Sequence, residues 1–272
     1  MPAAADTRNL DGDTRAFYCD ALEVMNRAGV PFLIGGAYAF GLYTGIERHT
    51  KDFDLFLLPQ DCEAALRAFA EVGYQTELSY PHWLGKVFYK DAFVDLIFSS
   101  GNGVAAVDPL WFRYASAGTL FDMPVRAIPA EEMIWSKAFV QERERFDGAD
   151  VMHLLRARGA ELDWRRLVAR FGSHWRVLLS ELVLFGFVYP EERDLIPRAV
   201  LDDLLARLAV EHHETSPQTH ICRGTLLSRE QYLVDVERWG YTDGREAPSG
   251  PMSAQDISIW TEAIEKSQQE GH

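Results

Sequence analysis

The segment KDFDLFL, residues 51–57, constrains this chain more than any other stretch. Acidic and apolar residues alternate in it, the period of a strand with two unlike faces. Asp52 and Asp54 then share one face, and Phe53, Leu55 and Leu57 share the other. The apolar face belongs in a core. Two carboxylates side by side repel and need a counter-charge. A divalent cation supplies one, and oxygen ligands of this kind suit Mg2+. The residues alone also allow a solvated strand face, with Arg48 and Lys51 pairing the acids.

Two neighbours in sequence sharpen this. Gly35 and Gly36 end the apolar run VPFLI and open a helix-like stretch, AYAFGLYT. Without Cβ atoms their backbone can approach a ligand closely, and the N–H groups of a helix N-terminus favour phosphate. Asp95 stands alone in a second apolar strand, FVDLIF, where a carboxylate needs a partner: a backbone turn, or other site residues. If that strand pairs near the first, three carboxylates meet. Asp52, Asp54 and Asp95 are then the ligand set for two Mg2+ ions clamping the oxygens of an in-line phosphoryl displacement. Arg48, His49 and Lys51 form a basic cluster that can steer a triphosphate or serve as a solvated loop.

The ordered set GG, KDFDLFL and VDLIF resembles the nucleotidyltransferase superfamily, the polymerase-beta-like fold. The resemblance implies an α/β (α+β) domain with a small mixed sheet, followed by an α-helical domain. It assigns Asp52, Asp54 and Asp95 to catalysis and metal, and Gly35 and Gly36 to the triphosphate. The stretch KAFVQERERFDGADVMHLL is similar to the Lys-then-Arg/Asp helical motif of abortive-infection and toxin-type bacterial nucleotidyltransferases. By that match Lys137 contacts nucleotide phosphates, and Arg145, Asp147 and Asp150 fill the later motif. Phe146 interrupts the Arg-Asp pair that is usual there. The implied activity is Mg-dependent transfer of an NMP from an NTP to an acceptor hydroxyl on a small molecule, a protein or an RNA end. The alternative is a non-catalytic NTP-binding regulatory protein, or a toxin–antitoxin component, on the same fold. Outside the motif, Lys137 reads as a solvated helix lysine and Asp147 as the cap of a helix starting at Gly148.

Composition sets the remaining bounds. The 272 residues are 47% hydrophobic and 25% charged, ordinary for globular chains. A net charge of -14 disfavours bulk DNA binding. Three scattered cysteines predict no disulfide framework and a reducing, cytoplasmic compartment. Neither an apolar leader nor a run of about 18 apolar residues stands out, so no signal peptide or membrane span is expected. The expected organisation is a disordered tail at 1–13, the α/β domain at 14–128, a helical domain at 129–215 and an irregular lobe at 216–272. AEEMIWSKAFVQERERF is expected as one long helix. The stretch CRGTLLSREQY is distinctive without suggesting a mechanism, and Arg223 and Arg229 read as an acceptor pocket or as surface salt bridges.

Overall fold

The apolar alternation of the first half builds a sheet whose two faces differ. The computed structural model describes residues 10–48 and 50–270; residues 1–9 of the tail expected at 1–13, His49 of the basic cluster and the last two residues lie outside them. Two compact units result: Met1–Pro129 with Ser258–Trp260, and Ala130–Ile257 with Thr261–His272.

The first unit runs α1 (Gly12–Ala28), β1 (Leu33–Ile34), α2 (Gly36–Thr44), β2 (Asp52–Phe56), α3 (Cys62–Glu71), β3 (Gln75–Tyr80), β4 (Leu84–Tyr89), β5 (Ala92–Ile97), α4 (Pro109–Tyr114), β6 (Ser116–Leu120) and β7 (Met123–Ala127). The strands form one mixed sheet in the order β3-β4-β5-β2-β1-β7-β6. β2 pairs with β5 in parallel, as β1 does with β7, and the other pairings are antiparallel. β6 is an addition to the sequence reading: SAGTL carries one β-branched residue and no apolar alternation, and its pairing with β7 makes it a strand.

α1 begins at Gly12 rather than residue 14. Asp11 accepts the Thr14 N–H at 2.9 Å and caps it, and Gly29 ends it at φ 66°. Its buried stripe of Phe17, Tyr18, Ala21, Leu22 and Met25 follows helical spacing. Tyr18 lies 5.0 Å from the ring of Phe53. A Cβ added at Gly85 of β4 would lie 3.2 Å from Cys62 Sγ of α3. α1 and α3 thus cover the sheet face that carries Phe53, Leu55, Val87, Val94 and Leu96, all fully buried. The other face carries the acids.

The second unit runs α5 (Ala130–Ala138), α6 (Gly148–Arg158), α7 (Trp164–Phe171), α8 (Trp175–Val188), α9 (Arg198–His213), β8 (Ile221–Cys222), α10 (Leu233–Glu237), β9 (Thr242–Asp243) and α11 (Ala254–Glu270). Two fully or nearly buried carboxylates, Glu132 and Glu131 of α5, bind Arg166 of α7, and Arg170 donates to Glu132 at 2.9 Å. Buried charges must be paired, so this network fixes how α5 meets α7.

α5 stops at Ala138, and the expected long helix is corrected to a helix plus an extended turn. Glu142 N–H bonds the Arg145 carbonyl, and Gln141 bridges Phe146. CRGTLLSREQY explains the stop. Gln141 N–H donates to the Leu227 carbonyl at 3.0 Å, and Arg143 N–H to Gln231 Oε1 at 3.0 Å. Ser228 Oγ holds that same oxygen at 2.6 Å, and Arg229 pairs with Glu142 at 3.6 Å. The N–H groups of Gln141 and Arg143 go to this segment instead of to a helix.

A second correction concerns apolar length. Trp164–Val188, read through the 3-10 turn joining α7 and α8, forms a 25-residue run long and apolar enough by composition to cross a membrane. Arg166 and Arg170 pair inside the unit; Leu167, Phe171, Leu178, Leu182 and Phe185 are buried in it, while Val183 and Phe187 are exposed.

Within this core Glu181 of α8 is 3% exposed, and its Oε2 has no hydrogen-bond partner. Burial pushes its carboxyl up from 4.5 to about 7. The folded chain then holds a proton that the unfolded chain releases, so this contribution is greatest at acid pH and is lost as pH rises through 7. Glu181→Gln is expected to stabilise the protein at pH 8 by up to about 3 kcal/mol, with the gain shrinking toward pH 5. Urea unfolding at both pH values checks this; equal gains would refute it.

Candidate active site

Strand register brings the predicted acids together. In the parallel pair β2–β5, Asp54 lies directly opposite Asp95, with Asp52 one step along the same face. One carboxylate oxygen from each of Asp52, Asp54 and Asp95 lies within 4.8 Å of the others, and among the described residues these three are the one group so arranged. Asp52 and Asp54 are half-buried, and Asp95 is 9% exposed. Burial pushes the Asp95 carboxyl above the usual range, Lys86 draws it down, and the Asp52 charge adds to the rise.

The glycine turn docks on this cluster. Gly35 N–H donates to the Asp54 carbonyl at 2.9 Å, tying the start of α2 to β2. Gly36 has φ 50°, and a Cβ there would sit 1.6 Å from Asp54 Oδ2. At Gly35 a Cβ would strike the Phe56 ring at 2.1 Å. A side chain at Gly36 would displace the Asp54 carboxylate, and one at Gly35 the Phe56 ring. No side chain caps α2, so its first N–H groups point from the turn that packs on Asp54. Acids beside an uncapped helix start can hold a divalent cation and its phosphate together. Behind the cluster, burial pushes the phenols of Tyr38 and Tyr18 up, and the charges of Asp52 and Asp54 add to this.

The basic candidates are placed differently. Arg48 is exposed, its guanidinium 4.5 Å over the Phe40 ring. Lys51 lines an open cavity of about 550 Å³ with Thr50, Asp13, Lys90 and Asp91, a lining that includes none of the three carboxylates. In the second unit, Lys137 lies 2.8 Å from both Asp147 Oδ2 and Asp150 Oδ2. Arg145 grips Asp147 through Nε and Nη2 at 3.2 and 3.1 Å. These cations hold the Asp147 carboxyl below the usual range against its burial. Asp147 precedes α6 without capping it, because its side chain is committed to Lys137 and Arg145.

Lys86 is the site residue that the sequence reading missed. It stands opposite Asp95 in β4–β5, and its Nζ donates to Asp95 Oδ1 at 2.7 Å. Lys86 is a lone charge in the apolar strand LGKVFY, as Asp95 is in FVDLIF, but only the register shows which acid it meets.

The Gly36 geometry is testable. Gly36→Ala must swing the Asp54 carboxylate out of the cluster, whereas Gly29→Ala, at φ 66° with open space around it, meets only the left-handed backbone penalty of about 1–2 kcal/mol. Thermal melts with and without Mn2+ are expected to keep a metal-induced rise in Gly29→Ala and lose it in Gly36→Ala. A rise retained by Gly36→Ala would contradict this geometry.

No protein-family model matches the sequence, and the search of curated proteins found no match. Solved structures do resemble it. The antibiotic-resistance factor ANT(2'')-Ia is 15% identical, covering 75% of this chain and 99% of its own, with a TM-score of 0.42. The lincosamide antibiotic adenylyltransferase LnuA, lincomycin-bound, is 16% identical, covering 54% of this chain and 98% of its own, with a TM-score of 0.39. Terminal uridylyl transferase 4 from Trypanosoma brucei, with bound GTP, is 12% identical, covering 93% and 88%, with a TM-score of 0.28.

Proposed function

We propose that this chain is a metal-dependent nucleotidyltransferase that moves an NMP from an NTP to an acceptor hydroxyl. The carrying observation is the Asp52, Asp54 and Asp95 cluster, with oxygens within 4.8 Å, against a glycine turn that leaves no room for a Cβ. The donor set is all carboxylate oxygen, which fits Mg2+ better than a softer metal. Two Mg2+ ions, when bound, would neutralise the phosphates and favour the deprotonated acceptor oxygen.

The chain's own groups supply the rest. Asp52 and Asp54 would hold the metal, with Asp95 shared. Gly35, Gly36 and the first N–H groups of α2 would bind the triphosphate, favoured by the helix dipole. Asp95, whose Oδ1 accepts from Lys86, would also take the acceptor hydroxyl proton. The acceptor oxygen bonds to the α-phosphorus, the bond to the bridging oxygen breaks, and pyrophosphate departs with those electrons. Arg48 and Lys51 are proposed as steering charges. Lys137 would meet phosphate by exchanging one of its two carboxylate partners, Asp147 or Asp150. The acceptor is a small molecule, a protein or an RNA end, and the proposed compartment is the cytoplasm.

Incubation with each α-labelled NTP, Mg2+ and a cell lysate tests this. Label is expected on one fraction and is expected to fall at least about 100-fold in Asp52→Asn/Asp54→Asn, about 2.7 kcal/mol of transition-state stabilisation. Label that survives in the double variant would overturn the site assignment. NTP binding with no transfer to any fraction would overturn the catalytic reading in favour of a regulatory protein.

A further inference from the structure

Lys86 of β4 grips the carboxylate to which the acceptor proton is assigned above. Two rows of residues cross the sheet side by side on the acidic face. In one, Glu77, Lys86, Asp95 and Asp54 stand each opposite the next; in the other, Gln75, Phe88, Phe93 and Asp52 do. Lys86 spans both rows. Its Nζ lies 2.7 Å from Asp95 Oδ1 and 4.0 Å from the centre of the Phe93 ring. The ammonium is thus bonded to a carboxylate and rests on an aromatic face. The Lys86 and Asp95 side chains are 23% and 12% exposed.

The sheet does not need this pair. β4 lies on β5 in unbroken register from Leu84–Ile97 to Tyr89–Ala92, and Val87, Val94 and Leu96 anchor the opposite face, fully buried. Taking two charges largely out of water costs free energy that an apolar cross-strand pair would not. The Lys90–Asp13 pair, with side chains 60% and 68% exposed, carries no such cost. A largely buried lysine kept on a site acid therefore points to a role at that acid. We propose that Lys86 is a positioning residue for Asp95: bonded to Oδ1 and steadied by Phe93, it holds the carboxylate in the orientation that meets the acceptor hydroxyl. This rests on the role proposed above for Asp95 in nucleotidyl transfer. Without that hold the carboxylate turns about its side-chain bonds, and geometry lost at a reacting group costs rate rather than nucleotide affinity.

The test uses the full chain, α-labelled NTP, Mg2+ and the cell lysate, with initial rates of labelling read against NTP concentration and folding followed by circular dichroism. Lys86→Met is expected to lower the rate at saturating NTP by roughly 10- to 100-fold, with the KM for NTP held within about twofold. Lys86→Arg, which can still donate to Asp95, is expected to recover part of the rate. Phe93→Leu keeps a large apolar side chain but removes the ring under the ammonium, and is expected to slow labelling roughly two- to fivefold at unchanged KM. A wild-type rate in Lys86→Met with a lowered melting temperature would make the pair purely structural and overturn the proposal. A raised KM for NTP with an unchanged maximal rate would overturn it too, since Lys86 would then serve nucleotide binding. Either result leaves the transferase reading standing. Wild type that labels no fraction would instead overturn the transferase reading, and this proposal with it. Should Lys86→Met fail to fold, Phe93→Leu decides: an unchanged rate there would overturn the hold described.

Discussion

The parallel pairing of β2 with β5 sets Asp54 beside Asp95 and keeps three like charges within 4.8 Å. Such an arrangement is unfavourable on its own. It persists because the opposite face of the same strands is anchored: Phe53, Leu55, Val94 and Leu96 are fully buried under α1 and α3. A one-residue slip would drive the acids into that core and bring four apolar side chains out of it. The hydrophobic face therefore supplies the energy that holds the electrostatic strain of the other face. Lys86 offsets part of the repulsion, and the glycine turn gives up its side chains so that α2 can begin against Asp54.

The second unit solves a related problem in another way. It too buries carboxylates, and four of them are paired within the fold: Glu131 and Glu132 with Arg166 and Arg170, and Asp147 and Asp150 with Lys137 and Arg145. The segment carrying Arg145 is extended because Leu227 and Gln231 take the backbone donors of Gln141 and Arg143, with Ser228 holding Gln231 in place. A motif with no visible chemistry in the sequence thus shapes a cluster that has it. In the cluster on the sheet, Lys86 reaches Asp95.

Much of this was legible in the chain. Alternation in KDFDLFL told which residues share a face, and the isolated Asp95 in FVDLIF signalled a partner elsewhere. The glycine pair marked the turn. What escaped the sequence depends on register and long-range pairing. Lys86 is a lone charge in an apolar strand, and its meeting with Asp95 follows from β4–β5 alignment alone. β6 exists through pairing with β7, and the end of α5 through hydrogen bonds to residues more than eighty positions away. Asp147 looked like a helix cap, and two cations outbid the helix for it. Local pattern predicts faces; it carries no information about which distant partner claims a polar group.

The central claim is that the three carboxylates form one cation site against the glycine turn. Anomalous diffraction from crystals grown with Mn2+ and a non-hydrolysable NTP tests it most directly. The account predicts Mn2+ peaks bonded to Asp52, Asp54 and Asp95, with the triphosphate against the Gly35–Gly36 turn. Mn2+ and nucleotide located elsewhere, with the three carboxylates left uncoordinated, would contradict it.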